Sequence, residues 1–339
     1  MNANSKPSAR LYNHFLTPRK YLKGNKRVSV YWTWSYPWES NQDVAKLDNR
    51  FSTMTEVRRV TWPAFESQEY CEKMFLQGIA GTLELFHLSI VRFQQLVSEI
   101  TGQPVSVFQR IDQAGQRLPL DERILDDTDV LMVFGLDHLV TEQDASPEEI
   151  EAVKHFLSRE GTCIVLGPHH DIGFSNDMNQ RQMEYLHHGD PLVPRQQRFS
   201  QYTRSLMKGL GVPVENQFGL RPATVSGTTQ LMPLNISREL DTRGWLNGVT
   251  TFNFHLHLPH YAVTTTDTSL IHVLARQPID MSKPHPFIEA GNTEFNMFLW
   301  MPPTGERLGD ILLADSTIFT TLFGSDDSLD RFWKNIATI

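Results

Sequence analysis

The sequence predicts an α/β protein built on a mostly parallel sheet, with helices on both faces and long loop insertions. Three observations carry that expectation. Residues 129–135 (DVLMVFG) and 162–167 (TCIVLG) are short apolar runs of the kind that form fully buried strands. Between them, Ser146-Pro147-Glu148-Glu149 is a capping box with proline at the first helical position. Ile150, Val153, Phe156 and Leu157 then share one helical face, and Gly161 stops the run. Strand, capped helix, strand is the pattern of a βαβ unit, and open sheets of this class bind ligands beyond the carboxyl ends of their strands.

In chain order, residues 1–25 are polar and basic and read as an N-terminal arm, and 26–339 as one α/β domain. Lys26–Trp34 is the first expected strand. Trp32, Trp34, Tyr36 and Trp38 alternate along it, so large rings line one face, either as core packing or as a pocket wall ending at Glu39. Met54–Trp62 reads as a second strand, Ser67–Ile100 as a long amphipathic helical region, and Pro104–Ile111 as a third strand. After TCIVLG comes Pro168-His169-His170-Asp171. Residues 174–197 then lack periodicity and read as a lid over the carboxyl end of the sheet. Arg198–Leu210 returns to helix and Val212–Phe218 to extended chain. In Thr250–Tyr261 (TTFNFHLHLPHY) the alternation predicts a strand closed by Pro259, with His255 and His257 on one face. Ser269–Ala275, Phe295–Met301 and Asp310–Ser316 complete the strands. Leu329, Phe332, Trp333 and Ile336 mark the buried stripe of a closing helix.

Composition narrows the function. A net charge of −8 argues against a general nucleic-acid partner, and no apolar run approaches the ~20 residues a membrane span needs. The first residues lack the apolar core of a secretory signal, and two cysteines, Cys71 and Cys163, make no disulfide framework. A cytoplasmic protein with a small-molecule substrate is the expectation. No P-loop, Gly-x-Gly-x-x-Gly or Gly-x-Ser-x-Gly is present, which removes the usual nucleotide and serine-hydrolase readings.

The chemistry lies in the histidines. Seven of thirteen fall in three clusters: His169/His170, His187/His188 and His255/His257/His260. Imidazoles at a strand end and on a strand face suit one divalent transition metal, zinc or iron, with an open position for water. The expected ligands are His169, His170, His255, His257 and His260, with Asp171 and Glu39 as catalytic carboxylates. His187 and His188, in the expected lid, read as hydrogen-bonded or surface residues. His285-Pro286-Phe287-Ile288-Glu289 reads as loop packing and Asp315-Ser316 as a turn cap. The resulting expectation is a metal-dependent enzyme of hydrolase or lyase type. The alternatives are a non-catalytic binding domain, or metal-free acid/base catalysis by His169 or His170 with Asp171 or Glu39.

DVLMVFG, the SPEE-opened helix with HFLSREG, and TCIVLG also resemble the class I glutamine amidotransferase-like superfamily. The run Asp310–Ser316, followed by Ser325–Ile339, is similar to the ending of its trehalose-utilisation-like and gliding-motility/intraflagellar-transport-like branches. The resemblance spans roughly residues 126–175 and 295–339. It implies a flavodoxin-like fold. Catalytic relatives bear a cysteine in a Gly-x-Cys-x-Gly turn after this strand. Here the turn reads Gly167-Pro168-His169-His170, and Cys163 lies earlier, inside the strand. The resemblance therefore implies the fold without glutamine hydrolysis, and branches lacking the nucleophile serve as ligand- or protein-binding modules.

Overall fold

A computed structural model describes residues 25–33, 90–110, 118–137, 143–188, 198–253, 255, 257–321, 324 and 326–339. Its central strands are the apolar runs of the sequence: β1 (Val28–Thr33), β2 (Ser106–Arg110), β3 (Val130–Gly135), β4 (Cys163–Pro168) and β10 (Asp310–Ala314). They hydrogen-bond in the order β2-β1-β3-β4-β10, all parallel. That is the 2-1-3-4-5 order of one common class of open α/β sheets. The sheet continues antiparallel through β9 (Glu294–Met301), β8 (His272–Pro278) and β6 (Asn235–Ile236), giving eight strands among the described residues. A separate antiparallel pair is formed by β5 (Val214–Leu220) and β7 (Leu258–Val263).

The described helices are α1 (Val91–Thr101), α2 (Glu122–Leu125), α3 (Pro147–Leu157), α4 (Met178–His188), α5 (Gln201–Gly209), α6 (Pro286–Glu289) and α7 (Asp327–Thr338). The capping box forms as written: Ser146 Oγ accepts from Glu149 N, and Glu149 Oε2 accepts from Ser146 N. Strand parity divides the core. Val30, Met132, Val165 and Leu312 pack with Phe93 of α1 and Phe332, Trp333 and Ile336 of α7. Leu131, Val133, Ile164 and Leu313 pack with Val153 and Phe156 of α3 and Leu206 of α5. Each fully buried aliphatic or aromatic side chain in these clusters contributes roughly 1.5–3 kcal/mol.

Register decides where the chemistry can sit. Thr33 pairs with Gly135, Gly135 with Pro168, and Leu313 with Leu166, so these strands finish along one edge. A Cβ on Gly167 would lie 2.9 Å from the Ala314 carbonyl oxygen, so only glycine lets the end of β10 approach this closely.

Several expectations change. The strand expected over 250–261 begins only at Leu258, so His255 and His257 lie in the connection before it. Pro259 falls inside β7 instead of ending a strand. It pairs with Gly219 beside a bulge in a two-stranded sheet, where a missing N–H is tolerated. Residues 178–188 of the expected lid form α4, whose buried face is Glu184, Tyr185, His187 and His188. A polar buried face leaves no apolar periodicity to read. His285 caps α6 instead of lying in a loop. The expected arm up to residue 24, the strand expected at 54–62, the helical region expected before Ile90, residues 189–197, Cys71 and Glu39 fall outside the described residues. Among the described residues no helix is long and apolar enough to cross a membrane.

Candidate metal centre

β4 delivers Pro168 to the edge of the sheet, and the chain turns immediately into His169 and His170. Ser200 fixes the turn. Its Oγ donates to the Gly135 carbonyl (2.5 Å) and accepts from His169 N (2.7 Å). To do so Ser200 adopts φ 70°, the one non-glycine residue with positive φ among those described, and such strain persists only where the surroundings impose it. Tyr261 Oη donates to the Pro168 carbonyl (3.1 Å), and Asn216 Nδ2 to the His169 carbonyl (2.5 Å). Asp171 N donates to the Gln217 carbonyl (3.0 Å).

Three histidines from distant parts of the chain meet here. His170 follows β4, His188 ends α4, and His257 precedes β7. One ring nitrogen from each lies within 4.8 Å of the other two. The His188 and His257 rings stack at 3.5 Å, and the His170 ring lies 4.6 Å from His257 and 5.2 Å from His188. His170 Nδ1 donates to the Asp171 carbonyl (3.2 Å), which leaves Nε2 as an acceptor. His257 Nδ1 donates to it at 2.7 Å. The backbone bond to Asp171 is the kind of outer support that orients a metal-binding imidazole. Bonds of about 2.0–2.1 Å in a tetrahedral site would place ligand nitrogens about 3.3 Å apart. His170, His188 and His257 could hold a metal there once the His170–His257 hydrogen bond opened and the His188 and His257 rings turned out of their stack.

Burial pushes His170 and His257 well below the ordinary imidazole range, and the neighbouring histidines push the same way. His255 is pushed down to about 3, by burial first. Neutral imidazoles keep the lone pairs that a metal requires.

A second layer surrounds these rings. His169 lies 4.1 Å from the His170 ring and 6.1 Å from that of His255. Its Nδ1 donates to Asp315 Oδ1 (3.3 Å), at the end of β10. Burial alone would raise the Asp315 carboxyl. The field and hydrogen bond of His169, the field of His255 and the hydroxyl of Thr317 together bring it below its ordinary value. His255 is 4.5 Å from the His257 ring, and its Nδ1 donates to the His257 carbonyl.

The structure therefore brings together His169, His170, His255 and His257 of the expected ligands, with His170 and His257 in the three-nitrogen group. His260 stands elsewhere. Its ring stacks on Phe218 and lies 4.7 Å from Phe287, and its Nδ1 accepts from Asn296 N. Asp171 is buried and committed: Oδ1 accepts from Arg204 Nη2 (2.7 Å) and Phe199 N (3.1 Å), and Oδ2 faces Arg198. Burial raises its carboxyl, with both arginines opposing. Those contacts tie Asp171 to Arg204 and to the Phe199 backbone, behind the turn that carries His169 and His170. Glu39 lies outside the described residues. His188 and Asp315 are the two residues that sequence reasoning passed over. Their signals were present, a His-His pair and a polar strand end, but nothing local ties them to the His169 turn.

No family model matches the chain, and no curated protein does. Among solved structures, one described as "mmIFT52 N-terminal domain" is similar at 8% identity and a TM-score of 0.37, over 71% of this chain and 86% of that one.

Proposed function

We propose that this protein is a metal-dependent enzyme of hydrolase type acting on a small polar molecule. His170, His188 and His257 would hold one first-row divalent metal, zinc or iron. The observation that carries the reading is the convergence of three imidazole nitrogens at the carboxyl edge of the sheet, with desolvation favouring the neutral form of His170 and His257. Imidazole donors favour such metals over magnesium or calcium. The bound metal would supply Lewis acidity to a carbonyl and make a water molecule more acidic. Asp315 holds the Nδ1–H of His169, which leaves Nε2 to take a proton from water and return it to the leaving group. Asp171, through Arg204 and Phe199 N, keeps the turn carrying both histidines in place.

The two core clusters of opposite strand parity support helices on both faces of the sheet, the amidotransferase-like arrangement. Cys163, a buried free thiol, suits a reducing cytoplasm. A second reading, a non-catalytic ligand- or protein-binding domain, is favoured by one observation: His170 is fully buried and its Nε2 already bonds His257. The experiment is chelation with dipicolinate, reloading with zinc or iron(II), and a screen of small amides, esters and lactones. The enzyme reading expects hydrolysis that disappears on chelation, returns on reloading, and is lost in His169→Gln while metal is retained. Retained metal with no hydrolysis of any substrate class would favour the binding domain.

A further inference from the structure

His187 is fully buried in α4, one residue before His188. Backbone groups engage both of its ring nitrogens. Nε2 accepts from Arg221 N (2.9 Å), so the ring proton sits on Nδ1, which donates to the Lys283 carbonyl (3.2 Å). One side chain therefore ties α4 to two other segments. Arg221 directly follows β5, whose Gly219 packs against the His170 ring. Lys283 lies just ahead of α6, and Asp280 N donates to the Arg221 carbonyl (2.9 Å), so the two anchor points are themselves joined.

Neighbouring residues of a helix point about 100° apart. With His187 held on Arg221 and Lys283, His188 is turned towards His257 and His170. The other polar ties of α4 lie earlier in the helix: Glu184 accepts from Ser175 N, and Arg181 Nε donates to the Ser175 carbonyl. A roll of about 10° about the helix axis moves a ring about 6 Å from that axis by about 1 Å, whereas a metal–nitrogen bond tolerates about 0.2 Å. We infer that His187 is a positioning residue for the proposed metal group, its two backbone bonds setting the roll of α4 and so the place of the His188 ring. The inference rests on the metal reading for its consequence, and on bonds that need no metal for its geometry.

The test is nuclear magnetic resonance of the full metal-free chain carrying isotope-labelled histidine, with zinc affinity of the same samples measured by competition with a chromophoric chelator. Wild type is expected to show His187 protonated at Nδ1, and cross-relaxation between the His188 and His257 rings, which stack at 3.5 Å. His187→Leu offers neither bond and is expected to lose that cross-relaxation, while the His169 and His170 rings, 4.1 Å apart, keep theirs. Its zinc affinity is expected to fall by roughly tenfold or more, the usual effect of removing the outer support of a ligand. His187→Gln, whose side-chain oxygen can accept from Arg221 N, is expected to recover most of both. Should His187→Leu not fold, His187→Asn, which keeps a donor for Lys283 and is too short for Arg221, carries the same expectation. A wild-type His187 protonated at Nε2, or a His188–His257 contact or zinc affinity unchanged in the Leu or Asn variant, would overturn the inference. Absence of zinc binding by wild type would count against the metal reading, and the ring contacts of metal-free protein would still decide whether His187 places His188.

Discussion

Gly219 is the sharpest mechanical test of how His170 is held. A Cβ at this position would lie 2.7 Å from Cγ and Nδ1 of His170 and 3.0 Å from Cε1. Ordinary carbon contacts are about 3.5–4.0 Å, so Gly219→Ala demands a movement of about 1 Å. The ring has little room to retreat, because it is fully buried with the His169 and His257 rings 4.1 and 4.6 Å away. Overpacking of this kind costs about 1–3 kcal/mol. A metal–nitrogen bond tolerates only about 0.2 Å, so displacement of Nε2 by the same movement should weaken metal binding by about 10- to 100-fold. Competition titration against a chromophoric chelator reads the second effect, and thermal melting of metal-free protein the first. Wild-type metal affinity together with a wild-type melting temperature would refute the placement of Gly219 against the ligand ring.

Two further outcomes follow from charge. Arg204→Met leaves the buried Asp171 carboxylate with the Phe199 N–H and the 3.5 Å contact to Arg198, which should cost about 3 kcal/mol in urea unfolding. An unchanged urea midpoint would show that the ion pair anchors nothing. His260 and His285 are pushed down to about 4 and about 3, by burial first. Below the unfolded value of about 6.5 the unfolded chain binds more protons, so stability is full above that pH and falls towards about pH 4, by up to ~1.4 kcal/mol per pH unit for each group. Urea midpoints of metal-free protein should therefore be lower at about pH 5 than at about pH 7.5, and an equal or higher midpoint at the acid pH would contradict it.

The parts of the fold legible in the sequence are those governed by local chemistry. β3, α3 and β4 follow from two apolar runs around a capping box, and α7 from Leu329, Phe332, Trp333 and Ile336, all fully buried. The position of His169 and His170 at a strand end follows from the same unit. What was not legible depends on distant partners. The Phe/His alternation before Pro259 has strand parity, yet the pairing partner, β5, ends at Leu220 opposite Leu258 and leaves His255 and His257 outside the ladder. α4 hides because its buried side is polar. Asp315 reads as a turn cap until β10 is placed beside β4, which puts its carboxylate 3.3 Å from a ring 146 residues earlier in the chain. Sequence spacing carries no trace of such a contact.

The central claim is that His170, His188 and His257 hold one metal. Elemental analysis of untagged protein, combined with X-ray absorption at the metal edge, tests it directly. The account predicts about one zinc or iron per chain with three imidazole nitrogens at about 2.0–2.1 Å. It also predicts loss of that metal in His188→Ala, with circular dichroism close to wild type and melting close to that of metal-free wild type. A wild-type protein without first-row metal after growth in zinc- and iron-supplemented medium, or a His188→Ala protein that keeps a full complement, would contradict it.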